Sequence, residues 1–355
     1  LAHDYLTQRG GAERVVIDLA NAFPGAPLFT SLFEPSLTFP EFQRFDIHPS
    51  PLNQLGLFRQ HHRLALPLYA PTFSAMKIDA DVAICSSSGW AHGAEVTGKK
   101  IVYCHAPARW LYQRDRYLRE SGVVQRIGLN ALSPWLRKWD QKVAKSADVY
   151  LVNSTATQTM VQDAYGIDAT IVHPPISIDT AGPQRPVKGI EPGFFLVVAR
   201  LLTYKNVHLT LEAARQMSQR VVVVGDGPMR VALEQNAAKS VAFLGTVDDE
   251  TLRWCYANCQ AHVAMSYEDY GLSPIEAAAF GKPTIALGAG GYLDTVRNGE
   301  TGLHVKEATT ASLVSALREF THLSFSEQAI TDHAALFSKE RFVRSLQEQV
   351  AAVLA

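Results

Sequence analysis

The sequence predicts an α/β protein built from two parallel-sheet domains, and three observations predict it. Runs such as residues 82–85, 101–104, 194–199 and 221–224 are continuously apolar and rich in Val and Ile, as strands buried on both faces require. Each run ends in Gly, Ser, His or Arg, and most strand-like runs along the chain alternate with segments of helix periodicity, the alternation of a parallel sheet. At 355 residues the chain exceeds one ordinary core, and the breakers at 174–175 and 180–186 interrupt the alternation near its midpoint. The expected domains are residues 1–180 and 181–336.

Bulk composition narrows the function classes. Apolar residues make up 47% and charged residues 19%, within the range of a globular protein. The net charge of −1 gives no field that would favour nucleic acid, and none is expected as a partner. No apolar run approaches the ~20 residues of a membrane helix, and no signal-peptide pattern is present. Cys85, Cys104, Cys255 and Cys259 lack zinc-finger pairing, which favours a reducing, cytoplasmic setting. The chain opens on Leu1, directly in a strand-like run, as if native residues preceded it.

Residues 1–5 read as the tail of a first strand, and Thr7 to Glu13 as a loop whose Gly10 and Gly11 open a helix over 14–23. A strand, a glycine loop and a helix start make phosphate-binding geometry, because glycine admits the ligand and the helix amides face it. An ordinary turn fits the same residues. Residues 54–76, interrupted by Pro67 and Pro71, read as broken helices in which His61 and His62 diverge too far to share a metal. Asp79-Ala80-Asp81 precedes a strand rather than following one, so it reads as strand-entry polarity, and no metal site is expected. Beyond that strand, Ser86 to Gly93 form a small, polar, flexible turn suited to an acceptor or a sugar, through Ser88, Trp90 and His92. His92 equally suits a solvated loop.

The next strand, 100–104, delivers His105, whose imidazole can hydrogen-bond a hydroxyl or a phosphate near neutral pH. From Arg109 to Lys145 the chain is basic and aromatic, with Arg114, Arg116, Arg119 and Arg126 interleaved with Trp110, Tyr112, Tyr117 and Trp135. That mixture suits a membrane surface or an anionic, lipid-linked acceptor, and it equally suits a solvated helix whose aromatics pack inward.

In the second half, the strand 194–199 ends in Arg200, and Lys205 precedes a helix through Met217. Two cations flanking a helix start can neutralise a diphosphate, Arg as a planar fork and Lys as a point charge. Two solvated loop cations are the alternative. Gly225-Asp226-Gly227-Pro228 follows a buried strand, but Arg230 stands where a dinucleotide fingerprint needs its third Gly, which disfavours NAD(P). Asp248 is the expected cap of a helix that would carry Cys255 and Cys259 four apart. A buried strand over 261–265 then leads to Glu268 in its exit loop and to Glu276 in the first turn of a helix over 274–280. Carboxylates beyond strand ends can accept hydrogen bonds from sugar hydroxyls, and Gly271 between them lets backbone approach closely. A glycine loop, 288–291, and helices at 311–320 and 339–354 complete the chain.

These stretches, in this order, resemble retaining glycosyltransferases of family 4, which have the GT-B fold. The matching segments are His3-Asp4-Tyr5 with Gly10-Gly11-Ala12-Glu13, Tyr103-Cys104-His105 through Tyr112, Arg200 with Lys205, Gly225 to Pro228, Glu268 with Glu276, and Gly290 to Val296. The resemblance implies two Rossmann-like domains facing an interdomain cleft, with a last helix, 337–355, crossing back to the first domain. The first domain would bind the acceptor, with Ser88, Trp90, His92 and Arg109 on that side, and the second the sugar nucleotide. It implies catalytic roles for His105, Arg200, Lys205 and Glu268. It implies donor contacts for Gly10, Gly11, Gly225, Gly227, Thr246, Val247, Tyr270, Gly271, Leu272 and Glu276. Nearest among the family are mannosyltransferases of surface-polysaccharide pathways. The implied reaction moves mannose from GDP-mannose to a glycan or polyprenyl-linked acceptor, without metal or other cofactor, in the cytoplasm or peripherally at the inner face of the membrane. A sugar-nucleotide epimerase or hydrolase of the same fold, and a non-catalytic sugar-nucleotide-binding protein, fit the same residues.

Overall fold

The structure, a computed structural model, describes the backbone of residues 1–113 and 123–355, and the side chains of 1–113 and 132–355. It divides into two α/β units: residues 1–175 with 339–355, and residues 176–338. The division falls before the breakers at 180–186, because Ile176 already donates its N–H to Phe337 O and Ser177 its hydroxyl to Glu276, both in the second unit. Among the described residues no helix is long and apolar enough to cross a membrane.

The first unit holds the strands β1 (Ala2–His3), β2 (Leu28–Thr30), β3 (Ile47–Pro49), β4 (Lys77–Ile78), β5 (Val82–Ser87), β6 (Glu95–Val96), β7 (Lys99–Cys104), β8 (Val149–Val152) and β9 (Thr170–Ile171). Seven of them form a parallel sheet in the order β3-β2-β1-β5-β7-β8-β9, while β4 and β6 pair separately. The strand order therefore reverses direction between β1 and β5. In open α/β sheets, that reversal opens a crevice at the carboxyl ends of the strands.

The helix Lys339–Leu354 belongs to this unit. Phe342 and Leu346 are buried against Val15, Leu19, Ile101 and Tyr103, each contributing about 1.5–3 kcal/mol by leaving water. Lys339 Nζ reaches the buried Asp18 at 2.9 Å and fixes the start of the helix. The chain thus returns to the first unit at its end, as the family resemblance implies.

The second unit contains β10 (Phe194–Val198), β11 (Val221–Val224), β12 (Val241–Gly245), β13 (Cys259–Ala264), β14 (Thr284–Leu287) and β15 (Gly302–Val305). They form a parallel six-stranded sheet in the order β12-β11-β10-β13-β14-β15, so the reversal lies between β10 and β13. All four valines of β11 are buried, which is why its sequence shows no alternation. Asp248 caps the helix Asp249–Asn258, accepting from Thr251 N at 2.9 Å. That helix stops at Asn258, so Cys259 begins β13 instead of sharing a helix with Cys255, and both thiols are buried and free. Burial pushes each up to about 12, which keeps both thiols protonated and inert.

Candidate functional site

Two polar clusters sit at the two strand-order reversals, one in each unit. In the second unit, Arg200 follows β10 and is exposed, with no ion pair to any described residue. Lys205 closes a short turn, Thr203–Lys205, and its Nζ lies 2.7 Å from Glu268 Oε1 in the loop after β13. Both side chains keep 17% of their surface exposed. Asn206, held at φ 53°, donates from Nδ2 to Met265 O at 3.0 Å and ties the same two loops together. Nothing in the sequence pattern singled out Asn206, although a residue of its type tolerates the left-handed region.

The backbone of Glu268 is fixed by the glycine loop. Gly291 N donates to Glu268 O at 2.8 Å, and a Cβ on Gly290 would stand 2.2 Å from that oxygen. The close approach that these glycines permit is therefore made by the chain itself. Gly271 follows the same logic: its φ is +93°, and a Cβ there would meet the Tyr292 ring at 2.3 Å. Tyr292 is buried and shares a 2.9 Å hydrogen bond with Ser266. Gly225 has φ +123° and would clash with Ala199 O at 2.0 Å, and Gly227 with Leu201 O at 2.5 Å, so both keep the loops after β10 and β11 in contact.

Glu276 lies in the second turn of the helix Leu272–Ala279, one turn deeper than expected, because the helix begins two residues before the predicted 274. Its Oε1 accepts from Ser177 Oγ at 2.6 Å and its Oε2 from Tyr256 OH at 2.8 Å. Each carboxylate oxygen retains lone-pair capacity for one more donor. Tyr270 is buried beside Ile275 and Phe337, which makes it a packing residue for this helix. Leu272 and Val247 are half-buried and Thr246 is exposed at the end of β12.

In the first unit, Asp4 bridges the β1–β5 reversal. Its Oδ2 accepts from Ser88 N and its Oδ1 from Ala91 N, both at 2.7 Å. Burial pushes its carboxyl up from the usual range, against the opposing pull of His3 and these two amides. Beside it, Ser86 Oγ lies 3.0 Å from His3 Nδ1 and 2.8 Å from His105 Nε2. His105 is 8% exposed, and burial lowers its pKa to about 3, with the charges of His3 and Arg109 adding to the effect. It is a neutral imidazole at physiological pH.

Three expectations for this unit need correction. The turn after β5 is not a solvated, flexible loop. Trp90 is 3% exposed, stacked on Trp110 at 4.7 Å between ring centres, and is part of the core. His92 is 1% exposed; its Nδ1 lies 2.8 Å from Ser87 Oγ, and its Nε2 lies 3.0 Å from Asp140 without the alignment of a hydrogen bond. Ser87, His92 and Asp140 have the composition of a catalytic triad, but Ser87 Oγ also accepts from Gly89 N and Trp90 N, so the group braces the loop. Ser88 is half-buried and Arg109 is exposed at the start of a single helical turn, Arg109–Tyr112.

At the helix start after β1, the space beside Gly10 is filled by a carboxyl side chain of the protein itself. Glu13 is 1% exposed, Gln8 donates to it at 2.9 Å, and a Cβ on Gly10 would stand 2.6 Å from its Oε2. The basic stretch after Arg109 lies partly outside the described residues, including Arg114, Arg116, Tyr117 and Arg119 and the side chain of Arg126.

Known proteins bear on this geometry. The family model described as Glycosyltransferase Family 4 matches residues 9–180, and the one described as Glycosyl transferases group 1 matches residues 182–335. The chain belongs to glycosyltransferase family 4. An α-1,3/1,6-mannosyltransferase, ALG2 of Dictyostelium discoideum, is 24% identical to this glycosyltransferase over 82% of each chain. A D-rhamnosyltransferase, WbpZ of Pseudomonas aeruginosa, is 37% identical over 36% of each chain. Among solved structures, Anabaena HepE in complex with UDP-glucose has a TM-score of 0.71 over 99% of this chain and 98% of that one, at 17% identity, which establishes the GT-B fold.

Proposed function

We propose that this glycosyltransferase is a retaining mannosyltransferase, moving mannose from GDP-mannose to a glycan or lipid-linked acceptor. The observation that carries the transfer chemistry is the Lys205–Glu268 pair at the β10–β13 reversal, with Arg200 exposed on the same strand end. Arg200 and Lys205 stabilise the charge that builds on the departing diphosphate, where fixed cations act most strongly. They do this without a metal or other cofactor. Glu276 holds the ribose through the lone pairs that Ser177 and Tyr256 leave, and Glu268 and His105 hydrogen-bond the donor sugar. The bond from C1 to the phosphate oxygen breaks as the acceptor hydroxyl adds to C1 on the same face. The acceptor's proton passes to the departing phosphate oxygen, so retention needs no enzyme nucleophile.

The first unit binds the acceptor and the second the sugar nucleotide. Mannose is supported by the Dictyostelium relative and by the resemblance around His105, and guanine by the resemblance alone. The UDP-glucose bound to HepE makes a uracil nucleotide the competing donor. The protein works in the cytoplasm, in peripheral contact with the inner face of the membrane.

The test is thermal stabilisation by GDP-, UDP- and ADP-sugars, followed by NMR of the product's anomeric configuration with the donor that shifts the melt. Stabilisation by GDP-mannose and a retained α-linkage are expected. A shift with UDP-sugars alone would replace the donor, turnover without acceptor would make the enzyme a hydrolase or epimerase, and no shift with any sugar nucleotide would end the transferase reading.

A further inference from the structure

We propose that His3 and Ser86 lock His105 in its Nδ1–H tautomer, so that it meets its ligand as a hydrogen-bond donor and not as a base. His3 and Ser86 are positioning residues in this proposal, which rests on the reading of His105 as a ligand-binding group. The three side chains stand at the carboxyl ends of β1, β5 and β7, and they are 2%, 1% and 8% exposed. His3 Nδ1 lies 3.1 Å from the main-chain oxygen of Ser86. A carbonyl oxygen only accepts, so His3 carries a proton on Nδ1. The same N–H lies 3.0 Å from Ser86 Oγ, which therefore also receives it.

A serine hydroxyl has one proton to give, and His105 Nε2 is 2.8 Å away to take it. The opposite arrangement, with Nε2–H donating to Ser86, would aim two N–H groups at one oxygen and leave the buried hydroxyl proton without an acceptor. An unmet buried donor is disfavoured strongly enough to settle a tautomer. His105 then accepts at Nε2 and carries its own proton on Nδ1. Burial also keeps the ring neutral, since its pKa is lowered to about 3. A neutral ring with Nε2 occupied has no lone pair left to remove a proton, so its partner is an oxygen lone pair of a sugar or phosphate. His3 Nε2 lies 3.9 Å from Glu13 Oε1, beyond hydrogen-bond range, so the fixed contacts of the His3 ring are those its Nδ1 makes with Ser86.

Long-range 1H–15N correlation spectra of the whole protein with 15N-labelled histidine read the tautomer directly, with His105 assigned by its loss in His105→Gln. The expected result is a protonated Nδ1 in the wild type, a shift to Nε2–H or to a mixture in Ser86→Ala, and retention in Ser86→Thr, which keeps the oxygen. His3→Asn preserves a donor near the Nδ1 position and should retain the tautomer, whereas His3→Leu should not; this pair decides the matter if Ser86→Ala does not fold. Turnover should follow the spectra, with kcat/KM about tenfold lower in Ser86→Ala, the worth of one net hydrogen bond. Nε2–H in the wild type, or a tautomer indifferent to both Ser86→Ala and His3→Leu, would overturn the proposal. Undiminished turnover in His105→Gln with the wild-type tautomer intact would instead remove His105 from the ligand site, so the two failures are told apart.

Discussion

Lys205 Nζ and Glu268 Oε1 are 2.7 Å apart, an ion pair that spans the loops leaving β10 and β13 where the strand order reverses. On the proposed function, a diphosphate bound there competes with Glu268 for the lysine, which frees the carboxylate for sugar hydroxyls. Lys205→Ala should lower kcat/KM by roughly 10²–10³, the range for loss of one transition-state donor. Each side chain is 17% exposed, between the surface and the buried case, so folding stability should fall by about 1–3 kcal/mol. Steady-state kinetics and urea denaturation check both halves, and a loss of activity below threefold would remove Lys205 from the diphosphate role.

Glu276 depends on two hydroxyls, and Tyr256 is the buried one. Its phenol is pushed well above the ordinary value, chiefly by burial and then by Glu276, so it stays a donor at every relevant pH. Tyr256→Phe removes that donor and leaves Glu276 Oε2 partly unmet, at about 1–2 kcal/mol of stability. A ribose contact made equally in the ground and transition states affects KM rather than kcat. The expected variant therefore has a donor KM raised several-fold and a kcat within twofold of wild type. A fall in kcat with KM unchanged would show that Glu276 acts on the reacting centre.

Strand cores were legible because a strand buried on both faces writes itself as an unbroken apolar run, and β5, β7, β10 and β11 all do so. The residues beyond those runs were legible as strand ends for the same reason, which is how His105, Arg200 and Glu268 came into view. Their partners were not legible. Ser177 lies 99 residues from Glu276 and Ala91 lies 87 from Asp4, and no local pattern encodes contacts at that separation. His92 and Trp90 misled because a run of Ser and Gly reads as solvated turn, whereas a stack with Trp110 and a buried Asp140 hold it inside. Helix boundaries moved by a residue or two, enough to shift Glu276 from the first turn to the second.

The helix Val123–Ala144 and its exit bear on membrane contact. Trp110 and Trp139 pack with Trp90, as the inward-facing alternative required. Leu132, Trp135, Lys138, Lys142 and Lys145 are all exposed at spacings of three and four, which puts them along one face. Such a face should hold anionic vesicles, with each lysine contributing on the order of 1 kcal/mol at low salt. The double variant Lys138→Gln, Lys142→Gln should then bind phosphatidylserine vesicles about 30-fold more weakly in a sedimentation assay. Raised salt should weaken the wild type in the same direction. Wild type that stays in the supernatant at low salt would rule the contact out.

Acid sensitivity should have a source buried within the second sheet. His262 sits in β13, 1% exposed; its Nε2 has no hydrogen-bond partner, and burial lowers its pKa to about 3. An unfolded histidine titrates near 6.5, so between about pH 6.5 and 3 the unfolded chain binds the proton that the folded chain refuses. The sign follows from linkage: stability is full above the unfolded value and falls as pH drops through that window, by up to about 1.4 kcal/mol per pH unit for one group. His105, also lowered to about 3, adds to the same slope. Replacing the ring by an apolar side chain, His262→Leu, removes one of the two contributions. Chemical denaturation of wild type and variant at a series of pH values should show a shallower acid slope in His262→Leu. Parallel slopes would mean that the ring is protonated in the folded chain after all, with a buried acceptor supplied to Nε2 as the pH falls.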